Sequence, residues 1–160
     1  MIQDRDPLFI GNPDCIMIER VDEVVECGRR FCRHVGYDGF ANFDVKYDER
    51  DGSYRFFEVN ARAGRNTFYM TLAGIDYVRP LVESCVLGRD LPYAEAFEPH
   101  VYSVLPRAAV RRCDRLAPED RERVLELFRQ GRAAHPYDYA PDSLGHKFWT
   151  LVAKVHKVLR

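Results

Sequence analysis

The sequence predicts an α/β fold, α+β in the stricter sense, in which helices pack on an antiparallel sheet. Two observations carry this prediction: a β-hairpin signal over residues 40–60 and an amphipathic helical pattern over Val21–Val35. The 160 residues are 46% hydrophobic and 31% charged, with a net charge of −1. This composition is typical of a globular domain and argues against a basic nucleic-acid-binding surface.

The first elements are predicted in chain order from the positions of proline and glycine and from the spacing of apolar residues. Residues 1–14 contain two prolines and a glycine and predict an irregular lead-in to a single domain over 15–160. Residues 15–19 predict a short strand. The apolar residues of Val21–Val35 recur at steps of three and four and predict a helix with Asp22 as N-cap, which Gly36 stops.

The hairpin is the clearest local signal. Residues 40–48 alternate between apolar and polar side chains, residues 49–53 carry an Asp-Gly turn, and residues 54–60 form the second strand. The remaining predicted elements are a loop over 61–66, helices over Thr67–Ala73 and Tyr77–Leu87 (with Asp76 as its cap), a strand over 100–105, a helix from Pro118 to Gly131, a loop over Ala133–Gly145 and a last helix over His146–Leu159.

Two of these helices carry apolar faces that are expected to pack inward. In the helix over Tyr77–Leu87 the face includes Cys85, which is expected to be a small core residue together with Cys27 and Cys32. In the last helix the face includes Phe148 and Trp149 and is expected to lie on the sheet, which leaves the lysines solvated.

The cysteine and lysine patterns bear on compartment and chemistry. The five cysteines are odd in number and lack a C-x-x-C pair, which argues against a disulfide framework or a zinc site. We therefore expect a reducing, cytoplasmic compartment, and we expect no signal peptide and no membrane partner. Arginine dominates the basic residues, and Lys46 is the only lysine before residue 147.

The hairpin also predicts a chemical site. An antiparallel pairing about the turn places Asp44 opposite Glu58 and Asn42 opposite Asn60. Like charges directly opposite each other are destabilising, so a shared proton, a cationic side chain or a metal ion must offset the repulsion. The alternative to a binding site is a solvated sheet face that carries a surface ion pair.

Asp44, Glu58 and Asn60 offer oxygen ligands, which suit Mg²⁺ or Mn²⁺ better than zinc. Arg62 and Arg65 follow on the adjacent loop, and a guanidinium binds phosphate or carboxylate oxygens through two parallel hydrogen bonds. The residues therefore favour a site for a metal-bound phosphate.

These residues resemble a known family. The stretches GFANFDV (residues 39–45) and FEVNARAG (residues 57–64) resemble the carboxy-terminal part of the ATP-grasp fold over about residues 36–90. The run EVNARAGRN (residues 58–66) is most similar to carboxylate–amine ligases of the D-aspartate ligase type, with the carbamoyl-phosphate synthase large chain as a more distant relative.

The resemblance implies residue roles. Asp44, Glu58 and Asn60 would bind the Mg²⁺ (or Mn²⁺) ions that bridge the ATP phosphates, and Arg62 would be catalytic through contact with phosphate or an acyl-phosphate intermediate. Lys46 would contact phosphate or relieve the repulsion between the acids, and the residues favour the second role.

Arg65 and Asn66 are further candidates for the nucleotide and substrate site. They would contact the carboxylate substrate or cap the next helix. The implied partners of the site as a whole are a small-molecule carboxylate and an amine.

The chain also departs from the family. The resemblance implies an amino-terminal substrate domain and a lid whose lysines grip ATP, whereas this chain has only Lys46 before residue 147. We therefore expect part of a longer ligase, inactive alone, that acts with the missing amino-terminal and lid portion. The alternatives are a degenerate, non-catalytic ATP-grasp module that binds a protein partner, and a metal-binding domain without nucleotide.

Overall fold

The computed structural model describes residues 2–3, 12–64, 67–135 and 143–159. The chain forms two compact units, one comprising Met1–Ile18, Phe68–Ile75 and Glu95–Arg160, the other comprising Glu19–Thr67 and Asp76–Ala94. Helices combine with small, mostly antiparallel sheets, which confirms the α+β class.

The helices and strands follow the predicted order, with additions. They are β1 (Ile2–Gln3), β2 (Pro13–Met17), α1 (Asp22–Val35), β3 (Asn42–Asp48), β4 (Ser53–Asn60), α2 (Phe68–Leu72), α3 (Val78–Leu81) with a π-helical continuation over Val82–Val86, β5 (Val101–Ser103), α4 (Arg107–Arg112), α5 (Pro118–Arg129), β6 (Ala133–Ala134) and α6 (Leu144–Leu159).

The first unit is built on a four-stranded sheet of order β1-β2-β5-β6. The β1–β2 and β2–β5 pairs are antiparallel, and β5–β6 is parallel. Residues 1–14 were expected to be irregular, but β1 and the start of β2 are paired strand, because Pro13 and Asp14 are buried against the sheet. The very short β1 and β6 and helix α4 carry too little periodicity to be predicted.

Strands β2 and β5 and helices α4 and α5 enclose the core of this unit. Its buried members are Cys15, Val101, Leu105, Val110, Cys113 and Val124. Helix α5 contributes Val124 on its inward face and begins with Pro118, whose missing N–H is tolerated in a first turn. Burial raises the pKa of the Cys15 thiol to about 11, so this thiol acts as a core residue.

A buried carboxylate ties this unit together. Asp14 on β2 accepts hydrogen bonds from Arg115, at 3.1 Å, and from Lys157 on α6, at 2.8 Å. Its side chain is almost fully buried, whereas both partners are partly exposed. A buried charge must be paired, so this cluster fixes which side of α6 faces the unit.

The predicted packing of the last helix is therefore wrong. The expectation was that the apolar face with Phe148 and Trp149 would lie on the sheet and the lysines would be solvated. Those aromatic side chains are instead exposed, and Lys157 reaches inward to Asp14. Helical periodicity identifies an apolar face, but it cannot say which face a buried charge will hold against the protein.

The second unit packs α1 on the β3–β4 hairpin. Phe31 of α1 contacts Phe43 edge-on, with ring centroids 5.7 Å apart. Gly28 faces the Phe43 ring, and a Cβ at this position would make an ordinary van der Waals contact with that ring, at 3.4 Å. Asp22 is the first helical residue and not the N-cap, whereas Gly36 ends the helix as predicted, in the left-handed conformation.

The segment after the hairpin differs from the prediction in its cap and in its burial. Tyr77, and not Asp76, is the N-cap of the helix that begins at Val78, although the Asp76 carboxylate accepts a hydrogen bond from the backbone N–H of Val78, at 3.0 Å. The apolar face that follows was expected to be core, and it is exposed, Cys85 included, as are Val82 and Val86. Cys27 and Cys32 are half-buried.

Replacing the buried carboxylate should destabilise the first unit. Asp14→Ala leaves Arg115 and Lys157 without their shared partner, so we expect the free energy of unfolding to fall by about 3 kcal/mol in urea denaturation. Asp120→Ala is the matched control, because among the described residues the Asp120 side chain makes only an exposed ion pair with Arg123, and it should cost less than about 1 kcal/mol. Equal losses in the two variants would contradict the anchoring role of Asp14.

Candidate functional site

The polar face of the hairpin carries the candidate site. The strand register places Asn42 opposite Asn60 and Asp44 opposite Glu58, which confirms the predicted pairing. The next pair on this face joins Lys46 to Arg55. An amide pair, an acid pair and a cation pair thus follow one another along one side of the two strands.

A β-bulge at Phe57 produces this arrangement. Val45 pairs with Phe56 and Asp44 pairs with Glu58, so Phe57 is an extra residue in β4. Side chains alternate along a strand, and without the extra residue Glu58 would share the apolar face of Phe56. The bulge was not predicted. The adjacent phenylalanines interrupt the alternation and are its only signal in the sequence.

Aromatic packing holds the opposite face of the hairpin. The Phe43 ring contacts both Phe31 of α1 and Phe56 of β4, each with centroids 5.7 Å apart. Nearer the turn, Tyr47 and Tyr54 contact each other across the strands. The apolar face is thereby fixed, and the acid pair is directed to the other side.

The two acids are unpaired within the described residues. There, neither Asp44 nor Glu58 makes a hydrogen bond or an ion pair through its side chain, and Lys46 forms no ion pair with either of them. Asp44 is half-buried and Glu58 is exposed. Within the described residues, no cationic side chain therefore forms an ion pair with either acid.

The acids near the turn behave differently. Arg50 donates to both oxygens of Asp48, at 2.8 and 2.6 Å, and these hydrogen bonds lower the pKa of Asp48. Asp51 accepts hydrogen bonds from Ser53 and Arg55. Surface ion pairs, as expected of a solvated sheet face, are therefore present at the turn, but within the described residues neither Asp44 nor Glu58 forms one.

The loop after β4 lies beside the amide pair. A Cβ at Gly64 would lie 3.8 Å from Nδ2 of Asn42, and the Thr67 hydroxyl donates to the Gly64 carbonyl, at 3.1 Å. Arg62 is exposed, and its side-chain hydrogen bond goes to the carbonyl of Ala63, at 3.4 Å. Asn42 was not among the predicted ligands, although it shares the face of Asp44.

Two of the predicted contacts cannot be placed, because Arg65 and Asn66 lie outside the described residues. Lys46 lines a shallow hollow on the turn side of the acid pair, together with Arg55 and the exposed ring of Phe57. This hollow adds a cation and an aromatic surface beside the two acids.

The donor set is compatible with magnesium. Two carboxylates and two side-chain amides meet on one face, and Mg²⁺ is commonly held by one or two carboxylates together with water and substrate phosphates. Within the described ranges no group of three or more His, Cys, Asp or Glu side chains could enclose a metal ion.

None of the helices in the described part of the chain is long and apolar enough to cross a membrane.

The hairpin and its loop define an α+β chain with an acid pair and an arginine at one polar face. The chain is 39% identical over 95 residues to the D-aspartate ligase of Enterococcus faecium (strain Aus0004), a match that covers 59% of this chain and 22% of the ligase. The chain thus spans about a fifth of the length of that relative. No family model and no solved structure matches the chain.

The similarity agrees with the D-aspartate ligase part of the sequence resemblance. It supports a relation to ligases, whereas the relation to the carbamoyl-phosphate synthase large chain stays a prediction.

The unpaired acids should reduce the stability of the metal-free chain. Glu58→Gln removes the repulsion, so in EDTA we expect the free energy of unfolding to rise by a few tenths of a kcal/mol, at most about 1. Glu49→Gln, the same change at an exposed turn residue, should leave it unchanged. Urea denaturation measures both variants, and a lower stability of Glu58→Gln would argue against cross-strand repulsion.

Proposed function

We propose that this chain is the Mg-ATP-binding catalytic portion of an ATP-dependent carboxylate–amine ligase of the ATP-grasp type, which acts through an acyl-phosphate. The observation that carries the proposal is the cross-strand pair Asp44–Glu58, unpaired within the described residues and set in a chain 39% identical over 95 residues to a D-aspartate ligase. A cross-strand pair of acids is mildly destabilising by itself, and a bound cation would offset that repulsion.

In this proposal Asp44, Glu58 and Asn60 hold magnesium, with Asn42 as a further oxygen donor beside them. When bound, the ion neutralises charge on the transferring phosphoryl group. The protein itself contributes positioning: the bulge and the aromatic face keep both carboxylates on one side of the hairpin. Phosphoryl transfer depends largely on such positioning and on electrostatic stabilisation.

Arg62 is the proposed catalytic residue. Its guanidinium is exposed on the loop beside the amide pair, and within the described residues it makes only a long hydrogen bond to a neighbouring carbonyl. It can therefore turn to the phosphate of the acyl-phosphate and stabilise the charge that develops there. Lys46 either contacts the phosphates or reduces the electrostatic repulsion between the two acids.

The remaining parts of the proposal concern the whole enzyme. Residues 15–160 would act as one ATP-grasp carboxy-terminal domain, completed by an amino-terminal and lid portion. Small-molecule carboxylate and amine substrates would bind with that portion, and D-aspartate is the first carboxylate to test because the relative is a D-aspartate ligase. We place the enzyme in the cytoplasm, in keeping with its five free thiols.

Metal binding tests the site directly. We expect the chain to bind Mn²⁺, and Asp44→Asn and Glu58→Gln each to weaken that binding more than tenfold, because each removes one of the two carboxylate ligands. Glu49→Gln is the matched control and should bind as the parent does. Unchanged Mn²⁺ binding in both site variants, measured by calorimetry, would eliminate the site. Titration with ATP, with and without Mg²⁺, then separates a nucleotide site from a site for metal alone.

The match covers only part of the ligase, and this partial coverage predicts a second result. The chain covers 22% of the ligase and has one lysine before residue 147, so we expect it to form no hydroxamate from ATP, D-aspartate and hydroxylamine by itself. Hydroxylamine traps an acyl-phosphate without the natural amine. Robust ATP hydrolysis coupled to hydroxamate formation would contradict this expectation. Metal binding combined with only millimolar or weaker Mg-ATP binding would favour the non-catalytic module.

A further inference from the structure

One side of helix α1 carries charges of both signs in a fixed order. Glu23 and Glu26 lie in its amino-terminal half, Arg30 and Arg33 lie in its carboxy-terminal half, and all four side chains are exposed. At about 100° per residue they fall within an arc of roughly 80°. Gly28 lies on the opposite side of the helix and is buried against the hairpin, so the arc is directed away from it. We call these four residues the α1 charge face.

Most of the α1 charge face is without a partner in the described part of the chain. There, Glu23, Arg30 and Arg33 make no side-chain hydrogen bond and no ion pair. Glu26 accepts a hydrogen bond from Arg29, at 2.8 Å, and its side chain stays 55% exposed. Because an exposed ion pair of this kind contributes little stability, the charge of Glu26 is still available to another molecule.

Effects within the helix explain only part of this pattern. The helix dipole favours acids in the first turn and bases in the last turn, and its influence falls off beyond them. Glu26 and Arg30 lie outside both terminal turns of the 14-residue helix. Their spacing of four residues suits an ion pair, yet within the described residues Arg30 forms none. Neither effect explains why all four charges share one side of the helix.

The α1 charge face is complementary to a second copy of itself. In an antiparallel pair of α1 helices centred at Gly28, Glu23 lies opposite Arg33 of the second copy. Glu26 then lies opposite Arg30 of the second copy. A two-fold axis makes each contact twice, which gives four ion pairs between the helices. A parallel pair would bring like charges together, and a partner of one sign would match only half of the face.

We propose that two copies of the chain form a two-fold symmetric dimer through antiparallel pairing of their α1 charge faces. The Phe31 ring lies beside the face and is 45% exposed, so it offers apolar surface that the pair would bury. The net charge of −1 creates little overall repulsion between two copies. Because the pairs are exposed, we expect a weak dimer, with a dissociation constant on the order of 100 µM. This inference does not depend on the ligase proposal.

Sedimentation equilibrium of the full chain measures the proposed dimer. We expect a monomer–dimer equilibrium at about 0.05 M salt over chain concentrations up to about 1 mM. At about 1 M salt the association should weaken tenfold or more, because salt screens charge pairs that are open to solvent. A dimer held mainly by apolar contacts would not weaken in this way.

Charge reversal supplies the specific test. In the dimer, Arg30→Glu places glutamates opposite each other and Glu26→Arg places arginines opposite each other, so each variant alone should associate more than tenfold more weakly. An equimolar mixture of the two variants should recover the parent association, because every one of these pairs again joins an acid to a base. Arg111→Glu is the matched control, since Arg111 is exposed on α4 of the other unit, and it should associate as the parent does.

Three results would overturn the proposal. The first is a chain that stays monomeric at low salt, which would leave the face to a different partner or to solvent. The second is an equal weakening in Arg30→Glu and Arg111→Glu. The third is a mixture of Arg30→Glu and Glu26→Arg that stays dissociated although circular dichroism shows both variants to be folded.

Discussion

The β-bulge at Phe57 is the constraint on which the candidate site depends. The β4 strand must satisfy two demands: Phe56 has to pack with Phe43, and Glu58 has to face Asp44. Strict alternation would place Phe56 and Glu58 on the same face, so the demands conflict in a regular strand. One extra residue resolves the conflict locally, and the aromatic contacts with α1 then fix the resulting face.

The distribution of cations on the hairpin is as informative as the acids themselves. Near the turn, the side chains of Arg50, Ser53 and Arg55 donate hydrogen bonds to Asp48 and Asp51. Asp44 and Glu58 lie a few residues away and make no side-chain hydrogen bond within the described part. If folding stability alone determined these residues, we would expect hydrogen-bonding or cationic partners at Asp44 and Glu58 as well as at the acids near the turn. A repulsive pair held in position by a rigid aromatic face is the arrangement expected where binding, and not stability, determines the residues.

The predictions that held rest on local information. Alternation and the Asp-Gly turn predict the hairpin, and the predicted opposition of Asp44 and Glu58 is the one observed. The turn does not produce that opposition by itself, because the pairs nearer the turn would place Phe57 opposite Asp44, and only the unpredicted bulge shifts Glu58 into that position. Arg65 and Asn66 stay predictions, because they lie outside the described residues. The roles of the metal ligands and of Arg62 also stay proposals, since position alone does not establish binding.

The apolar helix faces show the limit of periodicity most clearly. A stripe at steps of three and four predicts an amphipathic helix, and α6 is one, but burial of that stripe is a separate inference. In α6 the stronger constraint is Asp14, whose carboxylate is buried on β2 and requires cationic partners. Lys157 supplies one of them from the polar side of the helix. The rotation of α6 follows from that pair, and the apolar stripe is directed outward as its consequence.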